Sequence, residues 1–183
     1  MLNACRGIYP PGTSGTDSLR RPPVPPPYLH PLVLLGLRTG LKLDHLIGLE
    51  WAQVDLERSL ILIGAEATWS GQALEVSLDA DAKTTLLELL RQAQEAPVMP
   101  RRILEAVGLP VWKDRPDDFA VLHAFLRILK TALVEECDFD VVRLSYARRC
   151  AEQGLPLLHP ARQGDWEDAT LVQEVYRRVA GDA

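Results

Sequence analysis

Residues 39–57 constrain the fold of this 183-residue chain more than any other segment. The first half of the segment carries apolar residues at the spacing of one helix face, namely Leu43, Leu46, Ile47 and Leu49. In the second half, Trp51, Val54 and Leu56 stand among polar residues as the chain enters an extended stretch. The pattern predicts a helix that leads directly into a β-hairpin.

The remainder of the chain predicts a mainly α (α+β) fold, a helical bundle with a small antiparallel β-sheet or hairpin. Two short strand-like runs, 59–64 and 74–78, flank the turn residues Ser70 and Gly71. Amphipathic or strongly apolar periodicity predicts the helices, which are expected at 28–38, 79–96, 101–107, 118–136, 140–153 and 168–180. Residues 111–117 are predicted to be a loop.

Residues 1–27 are rich in Pro, Gly, Ser and Thr and predict an extended arm. The run Pro25-Pro26-Pro27 at its end is compatible with a polyproline ligand for another domain, although a plain linker is the simpler interpretation. Residues 28–183 are long enough for one domain with a full-sized core. We therefore expect two parts, an arm over 1–27 and a domain over 28–183.

Charge and cysteine content narrow the function classes. The formal net charge of -5 disfavours a protein that coats nucleic acid, because non-specific affinity comes largely from Lys and Arg. Three arginine pairs could still form local basic patches: 101–102, 148–149 and 177–178. The three cysteines show no metal-binding or disulfide spacing, so we expect a reducing, cytoplasmic location and neither metal nor cofactor. No apolar run is long enough to cross a membrane.

The motif Thr39-Gly40-Leu41 followed by Lys42, then Leu46-Ile47-Gly48-Leu49 and Trp51, resembles the first signature of the tyrosine recombinases, the phage-integrase family. The resemblance extends over about residues 31–179 and implies that family's catalytic-domain fold. It also implies metal-free cleavage of DNA, in which a tyrosine attacks the phosphate while two arginines hold its oxygens.

The two arginine positions are only partly kept. The first falls on Lys42, which retains the charge but lacks the planar fork that grips two phosphate oxygens. The second falls on Arg143, in a motif that in the family reads His-x-x-Arg-His. Here the first histidine position is Asp140 and the second is Leu144. We favour a structural interpretation of Arg143, as a buried arginine paired with Asp140.

Other positions that the resemblance implies also differ. The hairpin lysine that would protonate the leaving oxygen is missing, because no lysine lies between Glu57 and Lys83. His45 stands where the family usually has a glutamate, and we interpret it as a hydrogen-bonded surface histidine. Arg38 could replace the first clamp only if one helix continued through Gly40 to Lys42, which we do not favour.

The last box resembles Gly164-Asp165-Trp166 and is followed by Tyr176. The histidine position is Asp165 by its neighbours and Trp166 by its distance from Arg143; some family members carry tryptophan there. Tyr176 is the candidate nucleophile, and its alternative is a packing role on the apolar stripe of the last helix.

Three hypotheses follow. The first is a tyrosine-recombinase-like domain for DNA recombination or integration that is catalytically impaired and serves at most in weak duplex-DNA binding or in protein contacts. Those contacts would involve a second copy or another protein and the C-terminal helix. The second is an active strand-transfer enzyme with Tyr176 as nucleophile and Lys42, Arg143 and Trp166 around the phosphate. The third is a helical protein-interaction domain without DNA binding.

Overall fold

The computed structural model describes residues 1–8, 24–134 and 137–181. The helices, in chain order, are α1 (Leu2–Cys5), α2 (Leu29–Thr39), α3 (Leu43–Gly48), α4 (Ala80–Glu95), α5 (Asp118–Thr131), α6 (Phe139–Glu152), α7 (Leu158–Gln163) and α8 (Thr170–Gly181). The strands are β1 (Val54–Asp55), β2 (Leu60–Ile63), β3 (Leu74–Ser77), β4 (Val111–Trp112) and β5 (Arg115–Pro116). The predicted mainly α fold with a small antiparallel sheet is confirmed.

Helix α2 lies at the centre of the fold. Most of its side chains are fully enclosed, including Leu29, Leu32 and Leu35, and it packs against α4 and α6. It ends at Gly40, whose φ of 71° lies in the left-handed region that glycine adopts without strain. The chain therefore turns away before Lys42, so Arg38 and Lys42 do not share a helix.

The predicted hairpin forms the middle and one edge of a three-stranded antiparallel sheet, in the order β1-β2-β3. Ile61 on β2 pairs with Val76 on β3, and both side chains are fully buried. The short β1 follows a 3₁₀ turn at Trp51–Gln53, so the predicted passage from helix to strand occurs over a few residues. Between β2 and β3, residues 64–73 form a long connection that reaches towards α7.

Helix α4 begins where the sequence predicted, because the Asp79 carboxylate accepts a hydrogen bond from the Ala82 N–H at 2.9 Å. Leu86 and Leu89 are buried, whereas Leu87 is half exposed. The apolar face of this helix is thus narrower than the run of leucines at 86, 87, 89 and 90 suggests.

Two predictions of local structure need correction, and one helix was missed. Residues 111–117 form the small hairpin β4-β5 and not a plain loop. Helix α5 ends at Thr131 because Leu133 has a φ of 56°, which an α-helix cannot accommodate. Helix α7 was not predicted; it is short and contains Pro160 in its first turn, so it lacks a clear helical period.

The N-terminal region is only partly described. Leu2–Cys5 is helical, and Ala4 and Cys5 are buried against the domain. The first residues therefore differ from the extended arm that the sequence predicted. Residues 9–23 of the predicted arm lie outside the described residues, and the division at residue 27 stays a prediction. Within the described ranges, the helices are too short or too polar to cross a lipid bilayer.

Candidate functional site

The candidate site lies where the α2–α3 junction, the β2–β3 connection and the segment after α7 meet. Lys42 precedes α3, and its Nζ lies 2.7 Å from Oδ2 of Asp165. The Lys42 side chain retains 28% of its exposure, whereas the Asp165 side chain retains 3%. The position of the first clamp therefore holds a partly exposed ammonium paired with a buried carboxylate.

Asp165 is the acceptor around which this part of the site is arranged. The Trp69 N–H donates to both carboxylate oxygens, at 2.9 and 3.2 Å, and the nearby Ser70 N–H also helps to lower the pKa of the carboxyl. Burial opposes ionisation, but the hydrogen bonds from Lys42 and the two backbone groups, together with the Lys42 charge, outweigh it. The pKa of Asp165 is consequently held below its ordinary value.

His45 is buried, which corrects its interpretation as a surface histidine. Its Nε2 lies 2.9 Å from the Ala67 carbonyl oxygen and 4.0 Å from Oδ2 of Asp165. A carbonyl oxygen only accepts, so Nε2 carries the hydrogen. Nδ1 is enclosed and has no hydrogen-bond partner among the described residues. His45 thus fastens α3 to the β2–β3 connection.

Arg143 lies on α6 and is almost completely enclosed, with 7% of its surface exposed. Its Nε donates to the Gly40 carbonyl at 3.2 Å, one Nη donates to the Gly164 carbonyl at 2.7 Å, and the other donates to Asp140. Burial lowers the pKa of Arg143, although Asp140 and Asp165 act in the opposite direction. The expected pairing with Asp140 is present, and each guanidinium nitrogen already has a protein acceptor.

Trp166 stacks on this arginine. The Arg143 Cζ lies 3.8 Å from the centre of the Trp166 ring, within the range of a cation–π contact. Asp165 and Trp166 therefore both lie at the site, where Asp165 contacts Lys42 and Trp166 contacts Arg143. Which of them takes the family's histidine position stays open, since both side chains lie at the site.

Tyr176 lies on α8, which packs against α6 of the same chain. Its hydroxyl donates to the Leu155 carbonyl at 3.0 Å, with the Pro156 carbonyl at 3.4 Å. Desolvation and the nearby Cys150 raise the pKa of Tyr176 to about 12. In the described structure its contacts do not include Lys42, Arg143 or Trp166, so the nucleophile candidate is not brought into the hydrogen-bonded site.

Arg162 is a residue that the sequence reasoning missed. It lies on α7 with an exposed side chain and borders two neighbouring clefts. The larger, of about 710 Å³, is lined by β3 and α7 and includes His159; the smaller, of about 220 Å³, includes Ser70, Asp165 and Trp166. Its position three residues before Asp165 is the only signal in the sequence that could have drawn attention to it.

His159 serves a structural contact on the wall of the larger cleft. Its Nε2 lies 3.1 Å from the Tyr146 hydroxyl. Burial is the main cause that raises the pKa of Tyr146 and of the neighbouring Cys150, so neither is prepared as a nucleophile. Within the described ranges, no group of His, Cys, Asp and Glu side chains is arranged to hold a metal ion.

No protein-family profile matches the chain. In sequence the chain is similar to the integrase of Salmonella phage P22, with 26% identity over 152 residues. That match covers 79% of this chain and 38% of the integrase, so the chain spans well under half the length of this relative.

Solved structures of recombinases share the fold. The XerA recombinase gives a TM-score of 0.66 at 13% identity, over 99% of this chain and 59% of that one. The XerH recombinase bound to its difH substrate gives 0.63 at 17% identity, over 99% and 50%. The Tn1549 transposon integrase in complex with a circular intermediate DNA gives 0.62 at 14% identity, over 90% and 56%. The chain therefore has the fold of a tyrosine-recombinase catalytic domain, and the resemblance found in the sequence is confirmed.

Proposed function

We propose that this chain is a DNA-recombination or integration domain that binds duplex DNA weakly and whose strand-cleaving chemistry is impaired. One observation carries the proposal: the two cations that resemble the family's arginine clamps are each neutralised by a carboxylate of the same chain. Lys42 is paired with Asp165, and Arg143 with Asp140. A phosphate entering this site meets two fixed negative charges beside the two positive ones.

The state of Arg143 supports impairment most directly. A guanidinium holds a phosphate through parallel N–H donors that point at its oxygens. In this chain Gly40, Gly164 and Asp140 already accept from the three guanidinium nitrogens. These bonds use three of the five N–H groups and the side chain is enclosed, so turning the guanidinium towards a phosphate would disturb contacts that join α2, α6 and the end of α7.

The leaving oxygen also lacks an evident proton donor. The lysines nearest in sequence to the hairpin are Lys42 and Lys83, and both are engaged elsewhere. Lys42 is paired with Asp165, and Lys83 Nζ donates to the Ser59 hydroxyl at 2.9 Å. Because residues that act as one catalytic unit lose most of their rate when one is missing, the absence of a positioned acid supports low activity.

The environment of Tyr176 also supports impaired strand cleavage. A phenolate attacks a phosphate far better than a neutral phenol does. The hydroxyl of Tyr176 instead donates to backbone carbonyls, and its pKa is raised to about 12, which disfavours the phenolate. We propose Tyr176 as a residue that fixes α8 to the segment after α6.

Weak DNA binding is supported by the relatives and limited by the charges. The XerH and Tn1549 structures contain DNA. In this chain most arginines of the expected basic patches face acidic partners: Arg101 contacts Glu50, Arg102 contacts Glu105, Arg148 contacts Glu152, and Arg177 and Arg178 contact Glu174. Arg149 instead donates to the Leu37 carbonyl. These patches are therefore partly neutralised, which limits their attraction for phosphates.

A nicked suicide duplex tests the impairment. In such a substrate, cleavage releases a short fragment and traps any protein joined to DNA through tyrosine. We expect no covalent adduct on a denaturing gel, either for the wild type or for Tyr176→Phe. An adduct formed by the wild type and lost in Tyr176→Phe would establish the alternative, an active strand-transfer enzyme.

A second candidate function is protein interaction. Helix α5 exposes apolar side chains along its outer surface: Phe119 is 77% exposed and Leu126 is 45% exposed, with Leu133 just beyond the helix at 73%. The C-terminal helix α8, the expected contact with a partner, instead packs on α6 of its own chain. Sedimentation of the wild type against Phe119→Ser tests this candidate, which predicts self-association that the variant loses.

The cytoplasmic location stays a prediction.

A further inference from the structure

The surroundings of Asp165 resemble those of a bound anion more than those of an ordinary ion pair. One buried carboxylate is contacted by the Lys42 ammonium and by the backbone N–H of Trp69, and the backbone N–H of Ser70 also favours its charged form. These groups come from different segments of the chain. Convergent N–H groups with a cation form an arrangement that also accepts phosphate and sulfate.

We infer that this pocket is an oxyanion site occupied by the chain's own Asp165 carboxylate, and that a phosphate group binds there once the carboxylate is removed. The inference rests on the proposed function and deepens it, because it makes Asp165 an internal competitor of the DNA phosphate. A carboxylate attached to the same chain has a high effective concentration at the pocket. A free oxyanion therefore competes poorly in the wild type.

The pocket is accessible to a ligand from solvent. Asp165 and Trp166 line the cleft of about 220 Å³, together with Ser70 and Arg162. Arg162 is exposed and has no ion pair within the described part of the chain. An oxyanion that replaced the carboxylate would thus enter beside a second cation that the carboxylate does not use.

The backbone conformation at Asp165 allows a substitution by glycine that removes only the side chain. Its φ of 48° lies in the left-handed region, which glycine adopts more readily than aspartate. Asp165→Gly therefore removes the carboxylate without straining the backbone. Asp114→Gly is the matched control, because Asp114 is exposed, has a φ of 61° and carries the same charge away from the site.

The first experiment is a melting series in inorganic phosphate, compared with sodium chloride of equal ionic strength. We expect the melting midpoint of Asp165→Gly to rise by about 3 to 6 °C at a phosphate concentration ten times its Kd. The wild type and Asp114→Gly should respond to phosphate no more than to chloride. The double variant Asp165→Gly/Lys42→Ala should lose the added response.

Asp165→Asn keeps the size of the side chain and is measured in parallel, so that a poorly folded glycine variant leaves the inference testable. It should bind phosphate more weakly than Asp165→Gly and more tightly than the wild type. No phosphate-specific response in any folded Asp165 variant would overturn the inference, as would an equal response in Asp114→Gly.

A duplex oligonucleotide, titrated against the same variants, separates the two proposals. Tighter duplex binding by Asp165→Gly than by Asp114→Gly supports both. A phosphate response without duplex binding by any variant retains the oxyanion site and rejects the proposed DNA function. Duplex binding that is equal in Asp165→Gly and Asp114→Gly, without a phosphate response, retains the DNA function and rejects the oxyanion site.

Discussion

Replacing Arg143 by alanine tests whether this residue is a structural connector of the fold. The substitution removes donors to two buried backbone carbonyls, those of Gly40 and Gly164. A hydrogen bond from a charged group contributes about 1.5 to 3 kcal/mol, so these two bonds together account for at least about 3 kcal/mol. The pair with Asp140 adds little, because that carboxylate is half exposed.

Urea unfolding followed by circular dichroism measures this loss. With an m-value of about 2 kcal/mol per M, the midpoint should fall by about 1.5 M. Arg143→Lys should recover only a small part, since an ammonium cannot reach acceptors spread around a planar fork. The control is Arg91→Ala, which removes an exposed arginine paired with Glu88 and Glu95 and should shift the midpoint much less. Equal shifts for Arg143→Ala and Arg91→Ala would refute the reasoning.

Three further predictions concern titration and packing. The pKa of Asp165 is depressed in the folded state, so its contribution to stability is present above the ordinary aspartate pKa and is lost as pH falls through the folded value. In acid unfolding, the difference in stability between the wild type and Asp165→Asn should therefore shrink below about pH 4. Absorbance titration of Tyr176→Phe should lack a phenol that ionises near pH 12 in the wild type, and a missing phenol near pH 10 would contradict the assigned environment. Gly40→Ala places a Cβ 2.7 Å from Tyr146 and should cost about 1 to 3 kcal/mol more in urea unfolding than Gly108→Ala, which has a similar φ but open space around it; equal costs would show that the contact with Tyr146 is unimportant.

The sequence was sufficient for the architecture because its local signals agree with one another. Three local patterns match the observed elements: the helical period before Gly48, the strand runs on either side of Ser70-Gly71 and the cap at Asp79. Helix α7 lacked such a signal. The end of α5 at Thr131 follows from a left-handed residue, Leu133, that apolar periodicity does not reveal.

The candidate site could be predicted only in part. Lys42, Arg143 and Trp166 were found through the order of short motifs, and the pair between Arg143 and Asp140 follows from their spacing on one helix. The contact between Lys42 and Asp165 joins residues far apart in sequence, and no local pattern gives their distance. The same holds for the contact between the Trp69 N–H and Asp165 and for the position of Tyr176 relative to the site.

The wild-type chain, titrated into a labelled duplex and followed by fluorescence anisotropy across a salt series, gives the most direct test of the proposed function. The account predicts micromolar or weaker binding that decreases with salt. Because the predicted arginine patches are mostly paired with carboxylates, the slope of log K against log salt should be shallow, about -1 to -3. No binding at low salt would contradict the proposed DNA function and would favour the second candidate, protein interaction.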